Sequence, residues 1–311
     1  MEQMSILPNI SLFKQPKSKT FGKSYGVYIN TDEHTNILID CNFPEKNLNP
    51  FLGSIENQVD YYFITHFHLD HTSHVQLIEE RFPDATILMP RQEIECITDL
   101  NYLMEFAGIS RAGFADEWRT FAYKILGFKE CKSVQPFNPG TKFRFGSTTL
   151  QTIHLPGHSP GHTGFCITDD THEGNILHVS DIGIDSFGPW YGFLNICSLA
   201  DYFQSVEKLE KLIQKSTFMI SSHSDLLTES FGYYLNQIRV KIAHRDEIIL
   251  QSLNDNPALT LERLNALNLI FPKGKLPPLL KKLFYFWEEC FLLHHLKRLF
   301  EQGRTECRFD F

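Results

Sequence analysis

Little in this 311-residue sequence points to a membrane, a disulfide scaffold or a surface built for polyanions. The seven cysteines are odd in number, scattered and never spaced C-x-x-C. That argues against a cysteine zinc site and against a disulfide framework, so a reducing compartment is expected. No run reaches the roughly 18 apolar residues of a spanning helix. The nearest, at 276–300, is broken by Lys281, Lys282, Glu288 and Glu289. The amino terminus lacks the apolar stretch and small residues of a signal peptide, and the expected location is cytoplasmic. Positive charge is in deficit, with 29 Lys+Arg against 37 Asp+Glu and a net charge of −8. This disfavours a surface built for nucleic acid or anionic lipid but is silent about a local site. No internal repeat or low-complexity tract is present, and 42% hydrophobic residues exclude a disordered chain.

What is present is histidine, 14 of them, and a pattern of short strands and helices. Strands are expected at 10–13, 25–30, 36–40 and 60–65, a helix at 73–81 and a strand at 86–89. A helix-like stretch at 92–126, interrupted near Gly108 and Gly113, carries Tyr102, Phe106, Phe114, Trp118, Phe121 and Tyr123. These aromatics read as core packing, with a substrate-covering role as the alternative. Strands return across 128–168 and at 175–180. Ser198 then caps a helix with Leu199, Phe203, Val206, Leu209 and Ile213 at helical spacing, before a strand at 217–221. After about residue 231 only helices are expected, at 233–253, 259–267 and 279–302, the last closed by Gly303. The domain reading is a mixed α/β catalytic unit over 1–235 and a helical unit over 236–311.

The chemistry gathers at Thr65-His66-Phe67-His68-Leu69-Asp70-His71, directly after a strand. Three imidazoles and a carboxylate this close are costly to bury unless a cation satisfies them. Side chains two apart in an extended segment point the same way, so His66 and His68 can share one ion while Asp70 and His71 face a second. His158 sits in the Pro/Gly-locked turn Pro156-Gly157-His158-Ser159-Pro160-Gly161-His162. Asp181 and His223 each end a strand.

Those residues, in that order, resemble the metallo-β-lactamase-fold hydrolase superfamily, in the ligand order of its glyoxalase II-like branch. The resemblance covers about 25–223 and implies an αββα sandwich with the site at the sheet edges. Carried over residue by residue, one metal takes His66, His68 and His158, the other takes Asp70, His71 and His223, and Asp181 bridges. The implied cofactors are two Zn²⁺, with Fe or Mn as alternatives; a histidine at His68, where the flavodiiron branch often has glutamate, favours zinc. A water held between two such ions is deprotonated near neutral pH and attacks a carbonyl or phosphoryl centre. Residues 244–245, 261–264 and 294–304 resemble the small winged-helix-like tail that follows the catalytic domain in some members, among them endoribonucleases and thioesterases.

Asp70 is a candidate for orienting the attacking water as well as ligating. Tyr191 is a candidate donor to a developing oxyanion, Trp190 a pocket wall, and Asp185 and His162 candidates for bracing a ligating imidazole. Lys14, Lys17, Lys19 and Lys23 read as a solvated strand edge. The first functional reading is a dinuclear metal hydrolase of a small ester, thioester or lactone. The alternatives are a phosphodiesterase or ribonuclease on the same metals, a mononuclear iron enzyme resembling persulfide dioxygenases, and a metal-bound protein without catalysis. The expected partner is a small-molecule substrate, with nucleic acid disfavoured, no membrane, and a homodimer left open.

Overall fold

The computed structural model describes residues 2–15, 23–55, 57–271, 274 and 276–306. Lys17, Lys19 and Cys307 lie outside them. Two sheets stack face to face. The first has seven strands in sequence order: β1 (Glu2–Leu7), β2 (Ile10–Lys14), β3 (Tyr25–Asn30), β4 (Asn36–Ile39), β5 (Tyr61–Phe63), β6 (Thr86–Pro90) and β7 (Val134–Phe137). It is antiparallel through β4 and parallel from β4 to β7. The second sheet has the order β12-β11-β10-β9-β8, built from β8 (Lys142–Phe145), β9 (Thr148–His154), β10 (Thr163–Asp169), β11 (Asn175–Ser180) and β12 (Ser216–Ser221), with only β11 and β12 parallel.

Strand alternation explains why the central strands are apolar throughout. Ile37 and Ile39 of β4 face the second sheet, while Leu38 between them faces the helices. The inter-sheet core is marked by Phe63 against Phe165, 5.5 Å between ring centroids. On the outer face of the first sheet lie α1 (Glu45–Leu52), α2 (Leu69–Thr72), α3 (Val75–Arg81), α4 (Ile94–Thr98), α5 (Leu100–Phe106) and α6 (Ala115–Phe121), and α7 (Leu199–Leu212) covers the second. The αββα sandwich that the family resemblance implies is therefore the fold observed.

Two elements escape the sequence pattern. β1 is an edge strand exposed along most of its length, so no apolar alternation marks it. α1 follows Pro44 and carries Pro50, residues that read as breakers. The 92–126 stretch is several short helices rather than one. Asp99 separates α4 from α5 by accepting from the Asn101 and Tyr102 amides, Gly108 turns left-handed at φ 74°, and a π-helical turn closes it at Ala122–Leu126. The carboxyl-terminal region is helical: α8 (Phe231–Asp255), α9 (Leu261–Ala266) and α10 (Pro278–Glu301). Among the described residues no strand follows β12, so the wing of a winged helix is missing there. Leu235, Ile238 and Ile242 of α8 and Leu283 and Phe291 of α10 join the main core, which docks these helices on the sandwich. Among the described residues no helix is long and apolar enough to cross a membrane.

Candidate metal centre

Four loops meet at one edge of the sandwich, each leaving the carboxyl end of a strand or a locked turn. β5 delivers His66 and His68, and α2 begins at once to bring Asp70 and His71 round. The turn after β9 delivers His158. Gly157 is what lets it do so: φ is +128° and a Cβ there would lie 2.7 Å from the Tyr202 amide nitrogen at the start of α7. β11 ends in Ser180, itself at φ 48°, and projects Asp181; His223 follows β12.

All seven side chains singled out as ligands converge, in two overlapping groups. The ligand atoms of His66, His68, His158 and Asp181 lie within 4.8 Å of one another, as do those of Asp70, His71, Asp181 and His223. Asp181 is common to both. His158 Nε2 is 3.1 Å from His66 Nε2 and 2.9 Å from His68 Nδ1. Asp181 Oδ1 is 3.4 Å from His71 Nε2, and Oδ2 is 3.2 Å from His223 Nε2.

The hydrogen bonds around the ring decide which nitrogens face inward. His158 Nδ1 donates to the Trp190 carbonyl (3.0 Å), His223 Nδ1 to the Lys23 carbonyl (2.7 Å), and His71 Nδ1 to the Asp40 carboxylate (2.8 Å). Thr65 gives its hydroxyl proton to Asp40, so its oxygen is left to accept from His66 Nδ1 at 3.0 Å. Four Nε2 lone pairs thus point into one space, with His68 Nδ1 beside them. His71 Nε2 and Asp181 Oδ1 are buried without a hydrogen-bond partner. Imidazole nitrogens crowded round one shared carboxylate, with His71 Nε2 and Asp181 Oδ1 lacking a hydrogen-bond partner, fit a cation held among them.

The electrostatics agree. Burial, reinforced by neighbouring imidazoles, holds His66 well below its usual range, His158 at about 3, and His68 at about 4 despite the nearby carboxylates, so these rings stay neutral and able to ligate. His71 and His223 move the other way: burial opposes their charge, but the surrounding carboxylates outweigh it. Asp70, although buried, is pulled down to about 2 by His71 and His223. The carboxylates of this half of the site thus favour positive charge among them, which ring protons or a bound cation can supply.

Several bracing residues were not evident beforehand. Asp40, which ends β4 as Asp181 ends β11, accepts from the Thr65 amide, the Thr65 hydroxyl and His71. Asn42 Nδ2 donates to the Asp70 carbonyl at 2.7 Å. His162, expected to brace the centre, donates from Nδ1 to the Leu155 carbonyl and accepts the Asp181 amide at 3.0 Å. Asp185, expected to brace an imidazole, instead accepts from the Phe187 and Gly188 amides and caps its own turn.

Glu93 ties the two motifs together, accepting from the Phe67 amide (2.8 Å) and the Gly161 amide (2.6 Å) while fully buried. Burial raises its carboxyl from 4.5 to about 7 against the pull of those amides. Between these values the unfolded chain has released a proton that the folded chain retains. Glu93 therefore makes folding less favourable as pH rises from about 4.5 to about 7. Glu93→Gln is expected to lose that slope, so the difference between wild-type and variant denaturation midpoints of the metal-free protein should change steadily across this pH range. Glu93→Ala, which strands two buried amides, is expected to lose about 2 kcal/mol or more at every pH. Parallel wild-type and Gln profiles would sink the argument.

Tyr191 is placed otherwise than expected. Its ring stacks on Phe291 at 4.0 Å and its hydroxyl, fully buried, meets His295 Nε2 at 2.7 Å and accepts from Arg245 Nη1 at 2.9 Å. It is not among the residues lining the cavity at the centre and has no access to an oxyanion there. Its neighbour Trp190 does form a wall, its ring centroid 4.9 Å from that of His68. Arg245 of α8 also donates to the Phe187 and Pro189 carbonyls, both at 2.7 Å, and lies over the rings of Phe187 and Phe291. Asp246 takes the Nδ1 proton of His295. The helical region therefore holds the segment whose Trp190 carbonyl orients His158.

The centre opens into a cavity of about 860 Å³ bordered by His68, Asp70, His158, Asp181 and His223. A family model described as the metallo-beta-lactamase superfamily matches residues 20–214. Similar curated proteins include a hydroxyacylglutathione hydrolase of Vibrio vulnificus, 22% identical over 71% of this chain and 71% of that protein. An N-acyl homoserine lactonase of Azorhizobium caulinodans is 28% identical over 59% of this chain and 66% of that one. Among solved structures, a metallo-beta-lactamase family protein of Thermus thermophilus superposes with a TM-score of 0.72 at 20% identity, covering 96% of this chain and 95% of that one.

Proposed function

The chain belongs to the metallo-beta-lactamase superfamily, and on that basis we propose that it is a dinuclear metal-dependent hydrolase of carboxyl esters, thioesters or lactones. The observation that carries this reading is the pair of ligand groups sharing Asp181. His66, His68 and His158 would hold one ion, Asp70, His71 and His223 the other, and Asp181 both. Zinc is the metal proposed, because an imidazole stands at His68 rather than a carboxylate and the donor set of imidazole nitrogens and carboxylate oxygens suits it. Such ions, when bound, supply acidification of a water and polarisation of the substrate's reacting oxygen.

The protein's own groups then have definite tasks. Asp70 stays ionised in this field and can accept a hydrogen bond from the attacking water, orienting it. Asp40 and the Trp190 and Lys23 carbonyls fix the tautomers of His71, His158 and His223, so no ring needs to reorient during turnover. Phe193 and Trp190, whose centroids lie 5.6 Å and 4.9 Å from that of His68, shield the reacting carbonyl from bulk water.

Elemental analysis of the purified protein, coupled to a panel of ester, thioester, lactone and phosphodiester substrates, tests the reading. Two zinc ions per chain with carboxyl-ester or thioester turnover that chelation abolishes is the expected result. One iron per chain with oxygen uptake, or turnover confined to phosphodiesters, would replace it with the corresponding alternative.

A further inference from the structure

Much of the wall of the cavity beside the centre comes from parts of the chain that supply none of the seven candidate ligands. Leu103, Trp118, Phe121 and Leu126 reach it from the 92–126 segment, and Leu283 and Trp287 from α10. All three tryptophans of the chain, Trp118, Trp190 and Trp287, line it. The aromatics that read as core packing or substrate cover divide accordingly. Trp118 and Phe121 border the cavity, Phe114 is buried in the core, and Tyr102 and Tyr123 stay on the surface.

Charge is placed as unevenly as bulk. Among the described lining residues the only lysine or arginine is Lys23, and its Nζ lies 3.2 Å from Asp225, which also accepts the Tyr25 hydroxyl. The other ionisable lining residues described are Asp185, Tyr234 and members of the metal centre. Among the described residues a ligand with a carboxylate or phosphate far from its scissile bond would meet a single cation, Lys23, already paired with Asp225, and would otherwise bury its charge against the field of Asp185. An uncharged hydrocarbon loses nothing there and gains contact with leucine, phenylalanine and indole surfaces. At about 860 Å³ the space lies in the range that encloses a whole ligand of drug size, roughly 300–1,000 Å³, rather than a two-carbon acyl group.

We propose that this cavity is an acyl-chain pocket: the substrate is an ester, thioester or lactone whose acyl side carries an extended apolar chain, uncharged at its far end. The 92–126 segment and α10 are then its specificity elements. This rests on the hydrolase reading above and names the substrate class for it. A polar, anionic thiol conjugate is disfavoured by the same walls.

The three tryptophans supply a readout independent of turnover. The metal-loaded full-length protein is titrated with carboxylates of even chain length from butanoate to dodecanoate, product-like ligands whose head group belongs at the metals, while indole fluorescence is followed. Affinity is expected to rise about fourfold per methylene until the pocket is full. 12-Bromododecanoate should quench by direct contact, and dodecanedioate, charged at its far end, should bind at least tenfold more weakly than dodecanoate. In parallel, kcat/KM for thioesters of the same acids should climb with chain length. Phe121→Ala and Trp287→Ala, each removing one wall, should flatten both series.

Equal affinity for butanoate and dodecanoate, or for dodecanoate and dodecanedioate, overturns the pocket and leaves the hydrolase reading intact if short thioesters still turn over. Chain-length-dependent binding with no turnover of any ester or thioester overturns the substrate assignment through failure of the hydrolase reading. The two failures are thereby distinguishable.

Discussion

Replacing Asp181 with alanine is expected to lower kcat/KM by on the order of 10³-fold or more and to remove metal from both positions, because ions and nucleophile are lost together. No other side chain belongs to both ligand groups. Its Oδ1 faces His71, while Oδ2 faces His223 at 3.2 Å, His158 at 3.6 Å and His66 at 3.7 Å. Alanine leaves His66, His68 and His158 with no anion among them, and Asp70 as the one carboxylate of the other group, with His71 and His223. Asp181→Asn keeps the shape and one acceptor oxygen but not the charge, and should retain some metal with little activity. His66→Ala, which removes a ligand from one group only, should release the ion of that group first. Metal content by elemental analysis and kcat/KM on the best substrate of the panel check all three. Full metal occupancy and undiminished turnover in Asp181→Ala would show that the residue does not bridge.

The second large effect is expected at Asp40, which touches no ion in this scheme. Its carboxylate is buried and accepts from the Thr65 amide at 3.0 Å, the Thr65 hydroxyl at 2.6 Å and His71 Nδ1 at 2.8 Å. Asp40→Ala strands all three donors, at about 1–3 kcal/mol each, and frees His71 to change tautomer and turn. Metal affinity should fall about 10–100-fold, the usual cost of losing a carboxylate behind a ligating histidine. The backbone gives an internal control. Asp40 sits at φ 50°, a left-handed conformation that asparagine tolerates and alanine resists. Asp40→Asn relieves that strain but turns an amide NH₂ toward a donor, so its loss of metal affinity should approach that of alanine while its folding loss is smaller. Denaturation of the metal-free protein and chelator competition of the loaded protein measure the two separately. Wild-type affinity in Asp40→Asn would mean that His71 is held by something other than this carboxylate.

Much of the centre was legible because its residues cluster in sequence or end strands. The 66–71 run, the Pro/Gly-locked turn around His158, Asp181 after β11 and His223 after β12 each carry a local signal, and the fold brings those signals together. Asp40 ends a strand in the same manner as Asp181, but a lone aspartate before Cys41 has no nearby partner to raise its standing. Glu93 had no signal available, since what it binds are main-chain amides 26 and 68 residues away. Tyr191 shows the opposite error. Adjacency to Trp190 suggested a shared role, yet Trp190 lines the cavity while the Tyr191 hydroxyl turns to α8 and α10. In the fold, β1 and α1 were hidden by exposure and by proline, whereas the doubly buried strands announced themselves.

The clamp formed by Arg245 bears on how such proteins can be recombined. Its guanidinium joins α8 to the Phe187 and Pro189 carbonyls and to Tyr191, and Tyr191 in turn reaches His295 and, through it, Asp246. These groups form a lock whose pieces come from three stretches of chain. A helical tail grafted from a relative would have to carry an arginine, an aspartate and a histidine at matching heights, together with a compatible 187–191 segment. Without the whole set, a hybrid would bury an arginine with no acceptors or leave three carbonyl and hydroxyl groups with no donor. The boundary at about residue 235 is thus a seam in the sequence pattern rather than a line along which the protein can be cut.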